Sequence, residues 1–379
     1  MRIADIRTRA FVFPLESRAA GADDNVSARE VLTIEVRTTD GSSGVSYLTG
    51  ASRPGLSPQG QEVAVLKTAI DRLLAPIYVG GSVFERERLW ADALGKTRRI
   101  GGKGAVMVAL AGLDIALWDL AGKYAGLSVS QLLGGRRNKV PAYVLATPPV
   151  DDPAAVADDV SALVDGGFKL IKIKVGSHDL RKDLAKTAAA VKACRSGAKI
   201  IVDANEAWSV SEAAEYMAMA RDLGIYWLEE PIPTHDLNGY RQLRSRSPIA
   251  LALGDLESDL HAFRPYVVEN LLGFTHADAT RLGGLTPWLK LAHAAELWNV
   301  RCAAHAATEI HIHAVSAVEN GAAVEYFDPQ HRAQWPLDRL FPNAPELRTI
   351  RDGEILVPEV HGLGLDFDPR ASEQYEIDV

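Results

Sequence analysis

From about residue 140 onward, short runs rich in Val and Ile alternate with longer amphipathic stretches. The runs 139–146, 169–175, 199–204, 226–230, 249–254, 272–279, 300–305 and 322–326 are near-continuously apolar. Such runs predict parallel strands covered on both faces. Between them, 153–166, 180–195, 211–223, 257–270 and 285–299 carry helical periodicity. Eight strands in roughly 190 residues, each followed by a helix-length stretch, predict an α/β fold of the TIM-barrel type. A doubly wound open sheet is the alternative, but no G-x-G-x-x-G follows a first strand.

The first 130 or so residues read differently. Segments 2–13, 31–38 and 43–49 predict a strand meander, and 60–75, 84–95 and 106–123 predict helices, the last strongly apolar. The expected organisation is an α+β domain over 1–130, a barrel over 131–345, and a tail over 346–379 that returns to the first domain. Segments 16–30 and 47–58, with their Gly, Ser, Asp and Pro, predict loops.

A chain of 379 residues exceeds one average domain, and 47% hydrophobic with 24% charged residues suits a water-facing protein with a large core. The net charge of -8 gives no basic surplus for phosphate backbones, so a general nucleic-acid binder is not expected. Two cysteines, Cys194 and Cys302, lie far apart and fit a reducing compartment. The N-terminal MRIADIRTRAFVFPLESR lacks the apolar core of a signal peptide. No apolar run approaches the ~20 residues that span a bilayer. A cytoplasmic protein without membrane contact is the expectation.

Candidate chemistry lies at the strand ends. Strands two to eight end in Lys172 and Lys174, Asp203, Glu229, Asp255, Asp278, His305 and Glu325, spaced by 20 to 31 residues. In a TIM barrel these ends surround one mouth, where active sites form. Buried charges cost several kcal/mol unless paired or metal-bound, so folding alone does not explain the set. Asp203, Glu229 and Asp255 offer oxygen ligands on neighbouring strands, which suits Mg²⁺; no His or Cys among them favours zinc. Lys172 and Lys174 share a strand face, and mutual repulsion would lower a lysine pKa toward that of a base. Asp278 next to His305 would fix the imidazole tautomer.

These residues closely resemble the enolase superfamily, in its mandelate racemase/muconate lactonizing enzyme family and mandelate racemase subgroup. The carriers are AGLDIALWDLAGKYAGLSVSQLLGG (111–135), KIK (172–174), VDAN (202–205), WLEEP (227–231), DATRLGG (278–284) and AAHAATEIHIH (303–313). The resemblance implies a modified (β/α)7β barrel with an N-terminal capping domain. It implies Mg²⁺ on Asp203, Glu229 and Asp255, with Asn205 and Glu230 near metal and substrate. Lys174 would be the base on one substrate face, and His305 with Asp278 the acid/base on the other. Lys172 would hold the substrate carboxylate, and Glu325 would stand near it as a protonated hydrogen-bond donor. The family usually has Glu where this chain has Asp255; Glu257 is the alternative ligand if its strand continues.

In that family, loops of the capping domain read the distal part of the substrate. Here ESRAAGADDNVSAR (16–29) and YLTGASRPG (47–55) are small and polar, with Arg18, Asp23, Asp24 and Arg53. Such groups suit a polyhydroxylated acid better than an aryl group. The expected reaction is therefore removal of the α-proton of a small hydroxy-carboxylate. Acid-sugar dehydration to a 2-keto-3-deoxy acid is favoured, with racemisation or epimerisation as the alternative and a non-catalytic binding barrel outside catalysis. His311-x-His313 looks superficially like an amidohydrolase pair, but its late position makes these packing or surface histidines. A homo-oligomer, dimer or octamer, is expected by the same resemblance.

Overall fold

The computed structural model describes residues 1–15, 26–53, 59–148, 150–195, 197–246, 248–327, 337–368 and 370–379. Three long strands, β1 (Ile3–Pro14), β2 (Ala28–Thr38) and β3 (Ser43–Ser52), form an antiparallel meander. One face packs on the apolar helix Ala105–Ala125. The next eight strands are β4 (Lys139–Leu145), β5 (Leu170–Lys174), β6 (Lys199–Asp203), β7 (Trp227–Glu229), β8 (Leu251–Leu253), β9 (Phe274–Thr275), β10 (Arg301–Ala304) and β11 (Gly321–Tyr326). They run parallel, and β11 pairs with β4 to close the barrel. The open-sheet alternative is thereby excluded.

Alternation along each strand divides the core in two. Tyr143, Leu170, Ile201, Trp227, Ala252, Phe274, Ala303 and Ala323 fill the barrel interior as packed layers. Their chain neighbours, such as Ile171, Ile200 and Leu228, face the surrounding helices. Local chemistry starts those helices. Asp152 accepts from the backbone N–H groups of Ala154 and Ala155, and Ser209 with Glu212 forms a reciprocal capping box.

The elements depart from the sequence expectation in informative places. Strands expected over 226–230, 249–254 and 272–279 leave the ladder early, so Glu230, Gly254 to Asp255 and His276 to Asp278 lie just beyond it. The helix expected over 257–270 is a 3₁₀ turn (Leu260–Ala262) followed by Phe263–Val268, started by Asp259 and containing Pro265. Half of the loop expected over 47–58 is strand, since Tyr47–Ser52 completes β3. Helix Ala105–Ala125 also corrects the expectation that no apolar run approaches bilayer length. Its mean hydropathy is 1.7, yet 83% of that window is buried inside the protein, which makes it a core helix.

The tail touches both bodies. After β12 (Ile350–Arg351), β13 (Glu354–Leu356) pairs antiparallel with β4 of the barrel, and β14 (Glu376–Ile377) pairs with β1. Asp119 secures this junction from within the long helix. Its buried carboxylate accepts from the N–H of Val45 at 2.8 Å, the N–H of Leu363 at 2.7 Å and Lys123 Nζ at 2.7 Å. Three separate segments therefore share one carboxylate, and removing it strands two buried donors and a cation. Asp119→Ala is expected to lower the unfolding free energy by about 3–5 kcal/mol, measured by urea titration.

Candidate active site

Parallel register sets the first row of the site. Lys174 is the ladder partner of Asp203, and Asp203 that of Glu229, so all three face the same barrel mouth. One pleat deeper, Lys172 is almost completely buried. Its Nζ lies 3.1 Å from Glu229 Oε1, 3.3 Å from Glu325 Oε1 and 3.5 Å from Asp203 Oδ2. Burial alone would lower its pKa, but Glu229, Glu325, Asp203 and Asp255 together hold it well above the ordinary lysine range. The expectation that the two lysines depress each other therefore fails at Lys172, because four carboxylates outweigh one neighbouring ammonium. Lys174 reaches further out, with Nζ 2.5 Å from Asp203 Oδ2 and bonded to Asn205 Oδ1.

The loops after the strands hold their groups in uncommon backbone conformations. Asn205, Glu206, Glu230, Ala306 and Ala307 all have positive φ, between 38° and 60°. Such residues cost of order 1–3 kcal/mol each and persist only where the surroundings fix them. Gly254 needs its φ of +123°, and a Cβ there would meet Phe263 at 2.5 Å. This turn swings Asp255 into the mouth. Glu230 supports it from behind, its Oε1 accepting from the N–H of Gly254 at 2.9 Å and of Asp255 at 3.3 Å. Burial, then the Asp255 charge, pushes the Glu230 carboxyl well above its usual range. Glu257 goes elsewhere: β8 has already ended, and its carboxylate accepts from the N–H of Asp259 at 2.7 Å.

On the other side, Asp278 takes Thr280 N–H at 2.8 Å and Thr280 Oγ1 at 2.7 Å on one oxygen. Its other oxygen faces His305 Nδ1 at 3.2 Å. His305 Nε2 points toward Glu325 Oε2 at 3.8 Å and Asp255 Oδ2 at 4.0 Å. Burial opposes the imidazolium, but Asp278, Glu325 and Asp255 raise the His305 pKa above its ordinary value. Glu325 departs from expectation. Burial would raise its pKa, yet Lys172 and His305 bring it to about 2, and its Oε2 accepts from the Ala306 N–H at 2.8 Å. Both its oxygens face donors in this structure, Oε1 the Lys172 ammonium and Oε2 the Ala306 N–H.

The carboxylates suit a hard cation. Burial, then the adjacent Asp203, pushes the Glu229 carboxyl up to about 8, and a cation bound there would favour its ionised form. Asp255 Oδ1 is buried with no hydrogen-bond partner. Among the described residues, no three of His, Cys, Asp and Glu already converge as a closed metal cage, since lysine ammoniums stand against Asp203 and Glu229. The donor set nevertheless fits magnesium: oxygen only, anionic and contiguous.

Several participants escaped the sequence reading. Trp227 donates its indole N–H to Glu229 Oε2 at 3.0 Å. Tyr143 Oη lies 2.6 Å from His276 Nε2, beneath the mouth, and burial lowers the His276 pKa to about 3. These side chains are the inward alternates of strands that read simply as apolar or just follow them. The residues Arg18, Asp23 and Asp24 lie outside the described residues. Arg53 immediately follows β3 and pairs with Glu62 at 3.1 Å. His311 and His313 are fully buried and bonded to backbone groups, so neither is a surface residue and the amidohydrolase reading has no support.

Comparison with known proteins agrees with this fold. Residues 155–371 match the enolase C-terminal domain-like family, and residues 9–134 match the mandelate racemase / muconate lactonizing enzyme N-terminal domain. An L-talarate/galactarate dehydratase of Salmonella typhimurium is 29% identical over 344 residues, covering 90% of this chain and 81% of the relative. The structure of a Streptomyces coelicolor racemase with bound magnesium superposes with TM-score 0.88 and 25% identity, over 99% of this chain and all of that one. An L-talarate dehydratase from Polaromonas, complexed with Mg and L-glucarate, gives TM-score 0.85 and 28% identity, over 100% and 98% of the two chains. The chain belongs to the mandelate racemase/muconate lactonizing enzyme family of the enolase superfamily.

Proposed function

We propose that this protein removes the α-proton of a hydroxy-carboxylate in a Mg²⁺-dependent reaction and acts as an acid-sugar dehydratase yielding a 2-keto-3-deoxy acid. The observation that carries the reading is the pairing of Lys174 with a separately held His305 around one buried carboxylate cluster. Strands β5 and β10 are separated by β4 and β11 in the closed ring, so the two groups approach the mouth from different sides. Asp203, Glu229 and Asp255 would hold the ion. Magnesium, when bound, supplies positive charge against the carboxylate oxygens that become more negative as the proton leaves.

The chain's own groups divide the remaining work. Lys174 Nζ accepts the α-proton, and Asp203 and Asn205 aim it. Lys172, held as an ammonium by its carboxylates, orients the substrate carboxylate. His305 gives its proton to the departing β-hydroxyl, which leaves as water, and Asp278 holds the imidazole for that transfer. The resulting enol then tautomerises to the keto acid. A polyhydroxylated substrate is supported by the relatives named as talarate, galactarate and glucarate enzymes or complexes. The protein would act as a cytoplasmic homo-oligomer, a dimer or octamer.

Racemisation is the second reading, favoured by the complete two-sided pair and by the racemase of the same fold. In that case His305 would return a proton to the α-carbon. Incubation with galactarate, talarate and related acid sugars in D₂O separates the two. Release of keto acid, lost by about 10²–10⁴-fold in Lys174→Ala, is expected. Recovery of α-deuterated acid with all oxygens retained would establish the racemase instead. Inertness toward every acid, with Mg²⁺ present, would overturn both.

Chelation by EDTA is expected to stop turnover, and added Mg²⁺ to restore it. Calorimetric titration should show Mg²⁺ affinity greatly weakened in Asp203→Asn, Glu229→Gln and Asp255→Asn but unchanged in Glu257→Gln. The reverse pattern at 255 and 257 would reassign the third ligand.

The charge on Asp278 helps keep His305 protonated. Removing it in Asp278→Asn lowers the His305 pKa, so protonated donor disappears at a lower pH. The alkaline limb of the kcat profile should therefore move to lower pH, along with a fall in kcat.

A further inference from the structure

The helix Thr308–Ala317 follows the His305 loop and sends His311 back beneath the barrel mouth. Both ring nitrogens are used there. Nδ1 lies 2.8 Å from the carbonyl oxygen of Ala306, and Nε2 lies 2.9 Å from the backbone nitrogen of Ala279. A carbonyl can only accept and an amide N–H can only donate. The proton therefore sits on Nδ1 and the lone pair on Nε2, which fixes a neutral imidazole in one tautomer. Burial keeps it so, pushing its pKa below the ordinary histidine value against the opposing charge of Asp278.

Its two partners are not arbitrary backbone groups. Ala279 immediately follows Asp278, and Ala306 immediately follows His305. One rigid ring thus spans the two loops that carry the acid/base pair. The Ala306 peptide is also the strained one, with φ of 49° followed by 38° at Ala307. Its N–H is held by Glu325 Oε2 and its carbonyl oxygen by His311 Nδ1. Trp288 supports the other loop, donating its indole N–H to the Ala277 carbonyl at 3.1 Å.

We propose that His311 is a positioning residue, which sets the separation of the two loops so that His305 Nδ1 stays on Asp278 and Nε2 faces the substrate. The inference rests on reading His305 as the acid/base. Its contribution is geometric, because a displacement of about 1 Å at a reacting group can cost on the order of 10²-fold in rate.

Three substitutions test it. His311→Gln carries an amide that can donate to Ala306 and accept from Ala279. His311→Asn is one methylene too short to span both, and His311→Leu can do neither. The first readout needs no substrate: the downfield ¹H resonance of His305 Nδ1–H, assigned by its absence in His305→Asn. It should persist in Gln and vanish in Asn and Leu. The second readout uses the acid sugar that the enzyme turns over. In Asn and Leu, kcat for water loss should fall about 10²-fold with KM little changed. Lys174-dependent exchange of the α-proton with D₂O should be kept, and Gln should recover much of the loss. An unchanged resonance in folded Asn or Leu overturns the proposal, as does loss of both half-reactions in proportion to thermal stability. Should Leu not fold, the Gln and Asn pair decides. If no acid sugar reacts, the dehydratase reading falls, while the resonance still decides the role of His311.

Discussion

Charge crowding at the mouth of the barrel governs this structure. Asp203, Glu229, Asp255, Asp278 and Glu325 are all buried around Lys172, Lys174 and His305. Ionised carboxylates in such surroundings persist only with counter-charges and hydrogen bonds. Each here has a distinct solution. Glu325 is shared between Lys172 and a backbone N–H, and Asp278 between Thr280 and His305. Burial, then the Asp203 charge, pushes the Glu229 carboxyl to about 8. A divalent cation bound among Asp203, Glu229 and Asp255 would favour the ionised form of all three.

The same crowding explains why strands end where they do. A ladder residue must point straight in or straight out, with a period of two. Asp255, Asp278 and His305 all lie past the last paired residue, on loops free to turn a side chain toward the centre. That freedom is bought with positive φ at Ala306, Ala307 and Gly254. It is then removed again by Glu230, Glu325 and His311, which bond the backbone of those loops. The outcome is a site in which Lys172, Lys174, Asp203, Glu229 and Glu325 stand on strands, while Asp255, Asp278 and His305 stand on loops whose backbone is tied down.

Much of this was legible in the sequence. Repetition of an apolar run ending in an ionisable residue, seven times at nearly one unit's spacing, reveals both the barrel and its functional rim. What the sequence does not carry is the layer beneath. Trp227 and Tyr143 read as apolar strand residues, and His276 as part of a continuing strand. Their indole, phenol and imidazole groups acquire roles only when closure of β11 onto β4 brings them inward together. The electrostatics of Lys172 and Glu325 are likewise hidden in the sequence, because each depends on partners from several strands at once. His311 looked like packing because its partners are backbone groups, which no side-chain pattern announces.

The shortened acid at position 255 is accommodated by its neighbours. Aspartate lacks one methylene of the glutamate usual at this place, so the backbone must bring the carboxylate inward. The left-handed turn at Gly254 does so, and it is available because glycine has no Cβ; one there would meet Phe263 at 2.5 Å. Glu230 fastens that turn through both backbone N–H groups, and burial with the Asp255 charge pushes its carboxyl well above the usual range. A second acidic residue, adjacent to Glu229, thus serves to place the carboxylate at position 255. In the proposed reading, the geometry of the metal site is set as much by Glu230 behind Asp255 as by the three carboxylates in front.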